Sequence, residues 1–146
     1  MKKFLVLIII TALLPAMLSG CNNGSDDVVE IGERLFVTRM IDIADNYSHY
    51  IGRTVRYEGV FERLGYFGET PLEFVFRRGP GCCTEEEIFG FVVIWEDGRS
   101  DFPENNDWVE VVGTLGVTEV EGRRLRSVNL SSLTVLDVRG EAFVWN

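Results

Sequence analysis

From residue 54 to residue 138 the chain is divided into short segments rich in Val, Ile, Phe, Tyr, Trp and Thr, and most gaps between them contain glycine. Nothing in that span is long enough, or repeats with the right period, to make a helix of several turns. Short strands that keep turning back confine the domain to an all-β barrel or sandwich.

Thr54-Val55-Arg56-Tyr57-Glu58-Gly59-Val60-Phe61-Glu62-Arg63 alternates as a half-buried strand does, with Val55, Tyr57, Gly59 and Phe61 on one face. Gly59 marks a bend or a close backbone approach. Residues 72–78 form a second strand, which Gly79-Pro80-Gly81 should end, because proline cannot donate to a ladder. Residues 89–95 are the most apolar run after the leader and read as a central strand, turned by Glu96-Asp97-Gly98. Residues 101–107 read as loop and 108–115 as a strand. Two more strands are expected across 123–130 and 133–138, the first entered through a turn at Glu121-Gly122. Upstream, neither period is clean. Residues 34–40 read as a strand on their Leu-Phe-Val-Thr content, and Asp45-Asn46 can cap a helical turn over 47–51 that Gly52 stops.

The start of the chain has a different character. Met1-Lys2-Lys3 is positive, residues 4–14 are almost wholly apolar, and Leu18-Ser19-Gly20-Cys21 follows. The apolar run is too short to span a bilayer, and small residues precede a cleavage point, as in a secretion signal. Leu18-Ser19-Gly20-Cys21 resembles the bacterial lipoprotein motif, whose cysteine takes a diacylglycerol and further acyl chains such as palmitate. The expected organisation is a signal peptide over 1–20, a lipidated polar tether over 21–27 and one domain over 28–146. Several acyl chains on Cys21 would hold that domain at the cell membrane, on its extracytoplasmic face.

Loss of the leader removes both lysines and takes the formal charge from −9 to −11. So acidic a chain is a poor partner for nucleic acid or anionic lipid, since both attract cationic surface. A hydrophobic content of 46% with 12% aromatics excludes general disorder and suits one packed domain. Lipidation of Cys21 leaves only Cys82 and Cys83, so no disulfide framework is available and packing must supply the stability.

Several stretches carry a family likeness. They are Tyr50-Ile51-Gly52-Arg53-Thr54-Val55-Arg56-Tyr57-Glu58-Gly59-Val60-Phe61, then Phe76 with Pro80-Gly81-Cys82-Cys83, Gly90-Phe91, and Asp107-Trp108-Val109-Glu110-Val111-Val112-Gly113-Thr114-Leu115. Together they resemble uncharacterised bacterial lipoproteins and the OB-like extracytoplasmic domain of a membrane-protein family regarded as permease subunits. The resemblance implies a small five-stranded OB-like barrel, to which the residues themselves add an extra N-terminal strand and one or two short helical turns. It also implies association with transport or metal handling. In that family small residues and an aspartate follow the cysteine pair; here Thr84-Glu85-Glu86-Glu87 follows, with Glu86 at the carboxylate position.

Reactive side chains concentrate at Cys82-Cys83, and three readings compete there. Two thiolates with Glu86, and with His49 if the fold brings it close, would make a soft-to-borderline site for zinc or copper. Neighbouring cysteines on a regular strand point to opposite faces, so they share one ion only in a turn. A second reading is a redox-responsive vicinal disulfide, strained because adjacent Cα atoms are closer than the usual bridged span. The third is structural: one thiol is packed, the acids are solvated, and Thr84 with Glu87 starts a short helical turn in capping-box spacing.

The lone His49, flanked by Tyr50, reads as structural. Arg77-Arg78 and the trio Arg123, Arg124 and Arg126 read as solvated partners for the many acids. Tyr57, Phe61, Phe74 and Phe76 read as core in preference to a base-stacking platform. No Ser-His-Asp set, dinucleotide fingerprint or phosphate loop is present. The expected role is therefore a non-enzymatic, lipid-anchored binding or accessory module, serving an envelope or permease partner. A structural protein-interaction module without metal is the alternative.

Overall fold

The computed structural model describes residues 28–67, 70–81, 85–95 and 101–145. The expected leader and tether, and the turn at Glu96-Asp97-Gly98, lie outside the described residues. Strand β1 is Val29–Ile31. A 3-10 turn over Glu33–Leu35 leads into helix α1, Phe36–Asp45, and then into the short helix α2, Tyr47–Tyr50. Five long strands follow: β2 Thr54–Phe67, β3 Thr70–Pro80, β4 Glu86–Ile94, β5 Trp108–Val120 and β6 Arg123–Val135.

These five close on themselves in the order β2-β3-β4-β6-β5, and β5 pairs back onto β2. All the pairings are antiparallel except β4 with β6, which run parallel over Val92↔Ser127 to Ile94↔Asn129. This is the expected OB-like barrel with its extra strand: β1 adds to β2 in parallel, Val29 facing Val55 and Ile31 facing Tyr57. The extra strand is not at 34–40. That stretch enters α1, because Phe36, Val37, Met40 and Ile43, followed by Tyr47, fall on one helical face and are all buried. Burial of such side chains contributes about 1.5–3 kcal/mol each, which outweighs local strand propensity of at most ~1 kcal/mol.

The inward face of β2 is the expected one, with Val55, Tyr57 and Phe61 buried beside Val75, Val109, Val111 and Val128. Phe76 is also buried and Phe74 half-buried, so three of the four aromatics Tyr57, Phe61, Phe74 and Phe76 are core. Close backbone crossings fix the barrel's radius. A β-carbon on Gly90 would lie 2.2 Å from the Val75 carbonyl oxygen, and one on Gly59 would lie 2.8 Å from that of Phe76.

Two boundaries differ from expectation. Strand β3 continues through Gly79 and Pro80, which pair with Glu87 and Glu86. Proline is tolerated there because it occupies the last ladder position. Glu86 and Glu87 thus belong to β4, and no helix starts on them. The two strands expected across 123–138 are one strand, β6, bent by a bulge where Val112 faces Ser132 but Gly113 faces Leu130. A bulge lets a long strand coil around a barrel without ending it. The Glu121-Gly122 turn is as expected, with φ of 49° and 76°.

The last described residues cross one end of the barrel. Val144 N–H donates to the Arg78 carbonyl, Arg78 N–H donates to Ala142, and Val144 is buried. Arg139 donates from both Nη atoms to Asn106 and lies over Trp108.

Candidate functional site

The cysteine pair belongs to the connection between β3 and β4. Cys82, Cys83 and Thr84 lie outside the described residues, as does Cys21. The residues on either side of the pair meet: Gly81 N–H donates to the Glu85 carbonyl at 2.9 Å. A β-carbon on Gly81 would come within 2.8 Å of that same oxygen, so glycine is what permits the approach. Glu86, the expected carboxylate ligand, is exposed at the start of β4, and its Oε2 lies 3.4 Å from Arg78 Nη1. An exposed pair of this kind contributes at most about 1 kcal/mol, so Glu86 remains available to a stronger partner.

His49 lies in the short helix α2. The first turn of α1 packs near this hairpin, since a β-carbon on Gly79 would touch the Val37 side chain at 3.0 Å. Tyr47, ten residues on, donates its hydroxyl to Gly116 at 2.5 Å and to Ser127 at 3.2 Å. Among the described residues, no cluster of three or more His, Cys, Asp or Glu side chains could hold a metal ion.

A second polar centre involves a residue that reads, in sequence, as a solvated partner of acids. Arg78 is indeed exposed, but Arg77 is buried, its side chain only 3% exposed. The cause is strand alternation: Val75, Arg77 and Gly79 share the inward face of β3. Its Nε donates to the Glu58 carbonyl at 2.8 Å, and its Nη2 lies 3.9 Å from Glu58 Oε2. The guanidinium carbon lies 4.7 Å from the ring centres of both Phe36 and Trp108. Trp108 Nε1 in turn donates to Glu58 Oε2 at 3.0 Å. Burial pulls the Arg77 pKa below the usual arginine value, against the opposing pull of Glu33, Glu58 and Glu141. Arg77 Nη1 is buried and has no hydrogen-bond partner. The period-2 pattern running through Val75 and Gly79 was the signal for this inward arginine, and it is drowned by the neighbouring Arg78.

No curated protein and no solved structure matches the chain. The family described as the DUF1980 C-terminal domain matches residues 20–145, which takes in the barrel, both helices, the cysteine pair and the C-terminal segment. The chain belongs to the DUF1980 C-terminal domain family.

Proposed function

We propose that the protein is a lipid-anchored, extracytoplasmic accessory module that captures a zinc or copper ion through Cys82 and Cys83. One observation carries this reading. Gly81 and Glu85, the described residues on either side of the thiols, are hydrogen bonded across the β3–β4 hairpin at 2.9 Å. Two adjacent thiolates need a turn to share an ion, and this bond between the residues that flank them supports that reading. Glu86 supplies a carboxylate at the start of β4, paired among the described residues with the exposed Arg78. Cys21 carries the lipid, and the acidic surface keeps the domain off anionic headgroups. The partner that receives the ion is an envelope protein of the permease type, as the sequence resemblance implies.

The test is the metal content of the full mature chain beside a Cys82→Ser, Cys83→Ser variant. One ion per chain, lost in the variant, is the expected result. Equal and substoichiometric metal in both proteins would remove the proposal. Palmitate labelling that disappears in Cys21→Ser checks the anchor independently of the metal.

A further inference from the structure

We propose that the free edge of β4, over residues 86–91, takes an extended segment of a partner protein as an added strand, one in which apolar and basic residues alternate. The thiols play no part in this site, and its test is run without metal.

The backbone of β4 fixes the kind of guest. In an antiparallel ladder, facing residues alternate between pairs that exchange both hydrogen bonds and pairs that exchange none. Arg78 N–H donates to the Ala142 carbonyl and the Arg78 carbonyl accepts from Val144, so both groups turn away from β4. Arg78 faces Ile88 across the ladder. Theirs is therefore a pair without bonds, and the N–H and C=O of Ile88 turn to the far edge of β4. Two residues on, the N–H of Gly90 does the same. Val92 is next in this alternation, and there the ladder to β6 begins. Among the described residues, no strand pairs with that edge of β4 before Val92. Ile88 is 48% exposed and Gly90 half-buried, so the edge is open. Unpaired backbone groups repeating at about 7 Å match the backbone of another extended chain.

Side chains around the edge fix the composition of that chain. A groove of about 330 Å³ is lined by Met40, Ile41, Ala44 and Asp45 of α1, by residues 87–91 of β4 and by Arg126 of β6. Arg126 precedes Ser127, the residue that faces Val92, so the groove lies where β4 and β6 part. Ile41 is 46% exposed and, with Ile88, offers apolar surface to the guest. The acids of the groove are Asp45 and Glu87, and neither is ion paired among the described residues. Its one cation, Arg126, lies 5.2 Å from the ring centre of Tyr47. Glu85 and Glu86 prolong the acidic run along the strand. Such an excess of carboxylate favours basic side chains in the guest. A second copy of this chain fits poorly, because it would set its own Glu85-Glu86-Glu87 run, in a protein of net charge −9, against the same acids.

The probe is a hexapeptide of alternating valine and lysine, acetylated and amidated at its ends, titrated into the full mature chain with EDTA present. Saturable binding is expected, with hydrogen exchange of the Ile88 and Gly90 amides slowed at least about tenfold and that of the Phe89 amide, which faces β3, little changed. The valine–glutamate counterpart, and the valine–lysine peptide methylated on its backbone nitrogens, are each expected to bind at least about tenfold more weakly. Ile88→Pro removes an edge donor without touching the β3 ladder and is expected to weaken the peptide to a similar degree. The double variant Asp45→Lys, Glu87→Lys leaves the edge intact and is expected to prefer the glutamate peptide. Absence of saturable valine–lysine binding overturns the proposal, as does equal affinity for the glutamate peptide or an unchanged preference in the folded charge-reversed variant. Protection of Ile88 and Gly90 that grows with protein concentration in the absence of peptide also overturns it, and gives the edge to a second copy.

Discussion

The guanidinium of Arg77 is stacked 4.7 Å from the ring of Trp108, although the two residues are on strands that do not pair in the barrel. Glu58, on the strand between them, joins both: its carbonyl accepts from Arg77 and its carboxylate from Trp108. A buried cation is thereby held by two aromatic faces and one strand that neighbours both.

Truncation of this cation should be costly. Arg77→Ala forfeits two cation–π contacts and a hydrogen bond to Glu58 and leaves a cavity, so a loss of about 3 kcal/mol is expected in urea unfolding. Arg77→Met fills the same space without a charge to desolvate, and should cost clearly less than Arg77→Ala. A Met variant as unstable as the Ala variant would mean that charge, and not packing, dominates this centre.

Gly90 and Gly32 make a matched pair. A β-carbon at Gly90 would meet the Val75 carbonyl at 2.2 Å and Phe76 Cα at 2.6 Å, both backbone, so the strands themselves would have to part. Gly90→Ala should cost about 3 kcal/mol or prevent folding. At Gly32 a β-carbon would meet nothing within 4 Å, and Gly32→Ala should change stability by no more than about 1 kcal/mol. Thermal melts of the two variants provide the comparison.

Tyr50 donates its hydroxyl to Asp42 at 2.5 Å, and this bond, with a further one from Asn46 and the charge of Arg39, holds the Asp42 carboxyl below its usual pKa. A carboxyl lowered on folding stabilises the protein above its unfolded pKa, and that contribution is lost as pH falls through the lowered folded value. Tyr50→Phe removes the largest cause, so NMR titration should show the Asp42 pKa rising toward the ordinary carboxylate range. The acid limb of the stability profile should flatten in the same variant.

On the proposed metal reading, Arg78 competes with the bound ion for Glu86. Loss of an exposed pair worth at most about 1 kcal/mol frees the carboxylate, so Arg78→Met should raise zinc affinity by up to about fivefold. A competition assay with a zinc chelator measures this. Unchanged affinity would show that Glu86 is not a ligand.

Much of the barrel was legible because alternation is a local property. Val55, Tyr57 and Phe61 declared the inward face of β2, and Glu121-Gly122 declared the β5–β6 turn. What the residues around 34–40 would do was not legible, since Phe36, Val37, Met40 and Ile43 make a helical face only if the open end of a barrel is there to cover them. The candidate site divides in the same way. Cys82 and Cys83 stood out by composition, whereas Arg77 became notable only once Phe36 from a helix and Trp108 from a distant strand closed on it.

By itself the sequence determined the strand-and-turn character of the domain, the acidic balance that disfavours nucleic acid, and the position of the cysteine pair between two strands. Each follows from side-chain type and spacing, which act within a few residues. Only the tertiary structure decided that β5 closes back onto β2, that α1 caps the barrel in place of a strand, and that one of two adjacent arginines is buried. Those outcomes depend on which distant surfaces are present to exclude water, and burial against them is worth more than any local preference.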